Sequence, residues 1–230
     1  MVNACPFSIK YIIYDRKKLK IFISYIIYYM VNKIPQDLDN PIDNMINNHV
    51  DTQLDLFKKL KLTPNMITTI SLILGLSSAY SIYKDSYIVG AILWFLSYYF
   101  DCADGKMARK FKMTSKFGDL YDHTSDILKH IIIFYILYNK FNEYENKERK
   151  YIAIVILLII FLLTVCQIGC QEKLTREITN KETESPTLQI AEQFIFTECK
   201  TQMKYTRYFG PATIILYICI LMLYLSRHNF

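Results

Sequence analysis

The chain has 230 residues, of which 52% are hydrophobic and 21% charged, and its formal net charge is +6. This apolar excess argues against an ordinary soluble protein and predicts one compact, all-α membrane domain, a polytopic bundle of transmembrane helices. The positive charge is divided into short Lys/Arg clusters beside apolar runs, which is typical of segments that face anionic lipid. The composition therefore argues against a nucleic-acid partner.

The N-terminal part of the chain is predicted to lie at the membrane surface. Residues 21 to 31, IFISYIIYYMV, follow a basic run. They are too few for the roughly 20 apolar residues that cross a bilayer, so we expect an in-plane interfacial helix. Residues 35 to 58 are polar and contain Pro35 and Pro41, which predicts a surface connection with a short helix from about Asp43.

Five transmembrane helices are predicted, and a sixth is left open. Thr63 followed by Pro64 is a typical helix start, because Thr caps the helix and Pro suits its first position. The predicted spans run from 64 to about 83, from about 87 into the region of 101, from 118 to 138, from 151 to 170, and from 208 to 225. Residues 188 to 203 are ambiguous because two glutamates interrupt them. The expected division is an N-terminal interfacial or cytoplasmic segment, 1 to 60, and a membrane domain, 61 to 230.

Basic clusters predict the orientation of the bundle. One cluster precedes the first span and another follows the second: Lys58, Lys59 and Lys61, then Lys106, Arg109, Lys110, Lys112 and Lys116. Two antiparallel helices put both clusters on one side, which the positive-inside rule makes cytoplasmic. Residues 139 to 150 carry four Lys/Arg on the other side, so the difference in charge is moderate.

Four aspartates lie where two predicted helices approach each other. They share helix faces with small residues: Asp101, Asp104, Gly105 and Ala108 on the first helix, then Gly118, Asp122 and Asp126 on the second. We expect these helices to pack side by side and to aim both pairs of carboxylates at one gap. Four carboxylates that close need a positive countercharge. All-oxygen ligands suit hard divalent cations, and two such ions are a recurring solution for phosphoryl transfer, in which Arg109 could hold a phosphate.

This pattern resembles the signature of the CDP-alcohol phosphotransferases, the class I CDP-alcohol phosphatidyltransferase family. An Asp-x-x-Asp-Gly-x-x-Ala-Arg run is followed after about eight residues by Gly-x-x-x-Asp-x-x-x-Asp, and every fixed position is present. The likeness is close over the two helices and looser over residues 62 to 226, where LTPNMITTIS is similar to the family's first-span entry. Lys106 and the run LYDHTSD are more similar to the choline and ethanolamine branch of the family.

The resemblance implies an integral-membrane enzyme of phospholipid biosynthesis, in which a hydroxyl attacks the β-phosphorus of a CDP-linked alcohol and displaces CMP. Asp101, Asp104 and Asp122 are implied as ligands of Mg²⁺ or Mn²⁺ in a two-metal site, and Asp126 as a general base that also shares a metal. The implied CDP-binding residues are Gly105, Ala108, Arg109 and Gly118. The implied partners are the CDP-alcohol donor, the alcohol acceptor and the bilayer, with a homodimer left open.

Other functions stay open at this point. Carboxylates inside a membrane also mark ion paths, although the sequence shows neither paired broken helices nor an inverted repeat, as many transporters do. A catalytically idle membrane scaffold is disfavoured because all four aspartates are present. A metal-dependent lipid hydrolase is the nearest alternative enzyme. Asp119, one turn before Asp122, is expected to cap its helix or meet solvent, and His123 is a weaker candidate for a substrate contact.

Overall fold

The computed structural model describes residues 34–144, 147–179, 193, 195 and 197–228, and the regular structure in these ranges is helical. The helices are α1 Pro41–Lys59, α2 Pro64–Tyr83, α3 Tyr87–Lys110, α4 Lys116–Tyr144, α5 Lys147–Thr179, α6 Cys199–Thr206 and α7 Pro211–His228, with a 3-10 turn at Arg207–Phe209. The predicted all-α membrane bundle is confirmed. The predicted interfacial helix at residues 21 to 31 lies outside the described residues, as does the beginning of the segment from 188 to 203.

Helix α1 is longer than the short helix that the sequence predicts. It begins at Pro41, is capped by the Asn40 side chain, and continues for 19 residues. Its buried apolar residues recur every four positions: Ile46, Val50 and Leu54. This buried stripe packs against α3, and most other residues of α1 are polar, which explains why the segment resembles a surface connection in the sequence. The domain boundary at residue 60 stays a prediction.

Helices α2 and α3 form a close antiparallel pair. Thr63 caps α2 as predicted, its hydroxyl accepting the Met66 N–H at 3.3 Å. The hydroxyls of Ser71 and Ser97 each donate to the other residue's backbone carbonyl at 2.8 Å. Such small polar side chains allow helices in a membrane protein to approach closely and bond across the interface.

Three helical segments of the described chain are long and apolar enough to cross a bilayer: Pro64–Tyr83, Lys147–Glu177 and Cys199–Arg227. Helices α3 and α4 do not reach this criterion, because charged residues interrupt their apolar runs, and their crossing stays a prediction. On α5, Ile152, Leu158 and Ile159 are 59%, 54% and 52% exposed. Several large aliphatic side chains exposed along one helix indicate a lipid-facing surface.

Helix α7 closes the bundle through contacts with α1 and α3. The buried Asp43 carboxylate accepts hydrogen bonds from the Tyr98 hydroxyl of α3 and, at 3.2 Å, from the Ala212 N–H at the start of α7. Asn40 adds a second link, since its amide donates to the Thr213 hydroxyl at 3.1 Å. One carboxylate thus joins three helices beside the cavity that contains the candidate site.

Candidate active site

Three of the four predicted aspartates converge. Asp101 of α3 and both Asp122 and Asp126 of α4 each offer a carboxylate oxygen, and these oxygens all lie within 4.8 Å of one another. Their two helices do not pack side by side as the sequence predicts, since α3 and α4 each pack mainly against α2. The carboxylates therefore meet across a gap supported by α2. We call these three residues the carboxylate cluster.

Asp104 has different surroundings from the cluster. Its carboxylate is 3% exposed and accepts a hydrogen bond from the Thr68 hydroxyl of α2 at 2.6 Å. Asp104 lines the same cavity as the cluster, but it is not one of the three residues whose oxygens meet. Its predicted role as a metal ligand stays a prediction.

A lysine that the motif does not single out reaches the cluster. Lys129 Nζ lies 2.8 Å from Asp101 Oδ1 and 2.6 Å from Asp126 Oδ1, and it donates to Ser71 Oγ at 2.9 Å. The sequence signal for this contact is the spacing of three residues after Asp126, which places Lys129 on the same face of α4. That signal does not show that the ammonium would cross to another helix.

The cluster lines a cavity of about 410 Å³. Two predicted CDP-binding residues, Gly105 and Arg109, also line it, and a Cβ on Gly105 would lie 3.2 Å from Arg109 Nη1. Ala108 and Gly118 are outside the lining. Gly118 faces α2 instead, where a Cβ would lie 3.0 Å from Asn65 Oδ1. Its clearest role in the structure is to let α4 approach α2, and CDP binding by these four residues stays a prediction.

Another part of the cavity lining is apolar. It comes from helices α5 and α7, through Phe161, Val165, Ile168, Ile214 and Ile215. A cavity with carboxylates and a guanidinium in one region and aliphatic side chains in another suits a ligand with a charged head and a hydrocarbon body.

The donor set of the cluster fits a hard divalent cation. Carboxylate oxygens from Asp101, Asp122 and Asp126 that lie within 4.8 Å of one another are the kind of ligands that Mg²⁺ and Mn²⁺ prefer. The ammonium of Lys129 contacts two of these three carboxylates. Part of the countercharge that four aspartates require is therefore supplied by the protein itself.

Two histidines border the cluster. His123 Nε2 lies 3.7 Å from Asp119 Oδ1, and His123 Nδ1 lies 4.0 Å from Asp122 Oδ2. His130 Nδ1 is 2.8 Å from the backbone oxygen of Asp126, and the ring lines the cavity. Since a carbonyl oxygen only accepts, His130 donates from Nδ1, and its other nitrogen can accept when the ring is neutral.

Two further carboxylates line the cavity outside the signature. Burial raises the pKa of Asp43 to about 7, although the hydrogen bond from Tyr98 lowers it, and the nearby charge of Asp39 raises it further. Burial also raises the pKa of Asp39, against its hydrogen bond from the Asn40 N–H. Asp43 therefore titrates near neutral pH, in contrast with an exposed aspartate.

Comparison with known proteins agrees with the signature. Residues 61–228 match the family model of CDP-alcohol phosphatidyltransferase. With both the aspartate signature and the helical membrane fold present, the chain belongs to the CDP-alcohol phosphatidyltransferase family, as the resemblance predicted.

A shorter similarity links the chain to an archaeal protein. It is 35% identical over 69 residues to archaetidylinositol phosphate synthase of Pyrococcus horikoshii, a stretch that covers 30% of this chain and 37% of that relative. No solved structure matches the chain. The matched stretch is thus about a third of either protein.

Proposed function

We propose that this protein transfers a phosphatidyl or phospho-alcohol group from a CDP-linked alcohol to an acceptor hydroxyl and releases CMP. The observation that carries this proposal is the convergence of Asp101, Asp122 and Asp126 within 4.8 Å in a cavity that Arg109 also lines. A pyrophosphate substrate needs neutralising cations and directed hydrogen bonds, and a carboxylate cluster with a nearby guanidinium can provide both.

The proposed step is a displacement at the β-phosphorus. The acceptor oxygen forms a bond to this phosphorus, the bond to the bridging oxygen of CMP breaks, and CMP leaves with the electron pair. Asp126 takes the proton of the acceptor hydroxyl as general base. Its Oδ1 is held by Lys129 at 2.6 Å, which orients the carboxylate. A divalent cation held by the cluster, Mg²⁺ or Mn²⁺, would neutralise charge on the pyrophosphate and on the leaving oxygen.

The cavity lining supports one lipid substrate and one polar substrate. CDP-diacylglycerol with a soluble alcohol, and CDP-choline or CDP-ethanolamine with diacylglycerol, each supply one apolar partner for the region around Phe161 and Ile214. The name of the archaeal relative adds inositol phosphate to the soluble acceptors that need testing.

The positions of basic residues support a site that faces the cytoplasm. Lys58 Nζ lies 4.1 Å from the centre of the Phe111 ring, and Lys110 Nζ lies 3.3 Å from Asp55 Oδ1. These contacts bring the two basic clusters of the sequence to the same end of the bundle. Such an excess of Lys and Arg is typical of the cytoplasmic side.

A cation channel is less well supported. The ammonium of Lys129 lies between the carboxylates of Asp101 and Asp126, where its charge would repel a cation that passes along the aspartates. The same contacts are compatible with an enzyme, because anionic phosphates benefit from a fixed positive charge.

The proposal is tested with the full chain in liposomes. Labelled CDP-diacylglycerol is paired with inositol phosphate, glycerol phosphate or serine, and labelled CDP-choline or CDP-ethanolamine with diacylglycerol; CMP and the lipid product are measured. We expect CMP release with at least one pair in Mg²⁺ or Mn²⁺, and loss of activity in excess chelator, because the cluster would then lack its divalent cation.

The matched control is a pair of substitutions one turn apart on α4. Asp122→Asn changes the cluster and should abolish most CMP release, whereas Asp119→Asn changes a 42% exposed side chain and should retain it. Full CMP release in chelator would contradict the metal-dependent mechanism. Equal activity of both variants with wild type would contradict the proposed site.

A further inference from the structure

Lys129 is built into the carboxylate cluster by three helices. It stands on α4, one turn after Asp126, and its side chain is only 4% exposed. Its ammonium contacts Asp126 on its own helix at 2.6 Å, Asp101 on α3 at 2.8 Å, and the Ser71 hydroxyl on α2 at 2.9 Å. Two of its N–H groups donate hydrogen bonds to Asp101 and Ser71, and the contact with Asp126 is an ion pair.

The path of the lysine stem depends on a glycine of α2. A Cβ on Gly75 would lie 3.2 Å from Lys129 Cδ and 3.3 Å from Lys129 Cβ, so a larger residue would press on the stem. One turn earlier, the Ser71 hydroxyl donates to the Ser97 carbonyl at 2.8 Å. That bond leaves the lone pairs of Ser71 Oγ to accept from the ammonium. The position of the charge is therefore fixed by α2 as well as by the two carboxylates.

Lys106 provides a comparison, since it is the other lysine buried in the described part of the chain. Its ammonium is 2.5 Å from Asp51 Oδ2 and donates to the Asn47 carbonyl at 3.0 Å. Both partners belong to α1 and neither belongs to the cluster. A buried lysine in this protein thus need not contact the carboxylate cluster. Lys129 contacts it directly.

We propose that the Lys129 ammonium occupies one of the two cation positions of the carboxylate cluster, so that the site binds one divalent ion per chain. This inference rests on the proposed function, from which the identity of the metal, Mg²⁺ or Mn²⁺, is taken. The Lys129 ammonium contacts one oxygen each of Asp101 and Asp126. A second metal ion shared by these two aspartates would need the same oxygens. A divalent ion in the same space would also be repelled by the ammonium.

The number of bound ions tests this inference directly. Full-length protein in detergent is dialysed against Mn²⁺, and bound metal per chain is measured by atomic absorption, with electron paramagnetic resonance to detect spin coupling between neighbouring Mn²⁺ ions. We expect one uncoupled ion in wild type, and two coupled ions in Lys129→Met, which removes the charge but keeps a long side chain. Lys129→Arg keeps the charge and should stay at one ion, as should the buried control Lys106→Met.

Thermal unfolding of each variant establishes that it is folded, and Lys129→Gln replaces Lys129→Met if the latter is not. Without metal, the uncharged Lys129 variant should melt at a lower temperature than wild type. Mn²⁺ should raise the melting temperature of this variant by more than it raises that of wild type. Two coupled ions in wild type, or no additional ion in either uncharged variant, would overturn the inference. CMP release separates this failure from that of the function: wild type that releases CMP but binds two ions refutes only the role of Lys129, whereas one bound ion without CMP release from any CDP-alcohol refutes the transferase.

Discussion

At the scale of single residues, the four aspartates of the signature have distinct surroundings. Asp101 and Asp126 share the ammonium of Lys129, Asp104 accepts a hydrogen bond from a threonine of α2, and Asp122 lies 4.0 Å from a histidine of its own helix. The four carboxylates of the motif are therefore in different electrostatic environments. Substitution of each aspartate should therefore affect a different property of the site.

We expect Asp126→Asn to lower kcat by a factor of about 10² to 10⁴, the range that is typical for loss of a general base. Asparagine keeps the size and a hydrogen-bond acceptor for Lys129, but it cannot take the proton of the acceptor hydroxyl. Affinity for the CDP-alcohol should change less. Asp122→Asn should instead weaken metal binding, so that a higher Mg²⁺ concentration recovers part of its activity.

A Mg²⁺ titration of turnover, beside equilibrium binding of the CDP-alcohol, distinguishes these two variants. If Mg²⁺ rescues Asp126→Asn and fails to rescue Asp122→Asn, the assignments of base and metal ligand are reversed.

At the scale of elements, helices α1, α2 and α3 end in the same backbone motif. Lys61, Asp85 and Lys112 follow the three helix ends with φ of 59°, 59° and 55°. After α3, the Met113 N–H bonds back to the Ala108 carbonyl at 2.8 Å, which is the pattern of a Schellman turn. This turn reverses the chain within a short connection, so α4 returns beside α2 with its aspartates toward those of α3.

The left-handed position at the end of α1 predicts a stabilising substitution. Residues with a Cβ cost roughly 1–2 kcal/mol in this conformation, and glycine avoids the cost. Lys61 is exposed and distant from the cluster in sequence, so Lys61→Gly should raise stability by about 1 kcal/mol and Tm by about 2–4 °C. The measurement is thermal unfolding in detergent.

Lys59→Gly is the control for this substitution. Lys59 is also exposed but is the last residue of α1. Glycine is less favourable than lysine in a helix by up to about 1 kcal/mol. We expect its Tm to fall. A lower Tm for both variants would show that the conformation at Lys61 carries no cost.

At the scale of the whole molecule, helix α1 is tied to the membrane bundle by buried polar contacts. Asp43 accepts hydrogen bonds from α3 and α7, and the ion pair of Asp51 with Lys106 at 2.5 Å joins α1 to the C-terminal part of α3. Buried polar groups of this kind are costly to break, because the remaining partner loses both its bond and its hydration. The amphipathic helix should therefore unfold together with the bundle.

The raised pKa of Asp43 predicts how stability depends on pH. Its pKa is about 7 in the folded protein, against about 3.9 in an unfolded chain. The folded state thus binds the proton more tightly, and stability decreases as pH rises from about 4 to about 7, by at most about 4 kcal/mol. Asp43→Asn should keep an acceptor for Tyr98 and Ala212 but lose this dependence.

Tm measured at several pH values from 4 to 8 tests the prediction. The Tm of Asp43→Asn relative to that of wild type should increase as pH rises. The Tm of Asp37→Asn, a change at an exposed residue shortly before α1, should show the same pH dependence as wild type. Parallel curves for wild type and Asp43→Asn would contradict a buried carboxyl that titrates near neutrality.

Several features of this protein can be predicted from local patterns in its sequence. Apolar run lengths indicate the membrane class, Thr63 with Pro64 marks the start of α2, and a spacing of four residues places Asp122 and Asp126 on one face. These properties depend on neighbours within a few residues along the chain, so the sequence is enough to predict them. The resemblance to the family signature also depends on residues that lie close together in the sequence.

The arrangement of the helices around the site depends on tertiary packing. Support of α3 and α4 by α2, the contact of Asp104 with Thr68, and the approach of Lys129 to Asp101 at 2.8 Å all join residues of different helices. The helical period predicts on which face of its own helix a side chain lies. Which other helix packs against that face depends on the packing of the whole bundle. For this reason the sequence predicts the carboxylates of the site, whereas the lysine that accompanies them is evident only once α2, α3 and α4 are packed together.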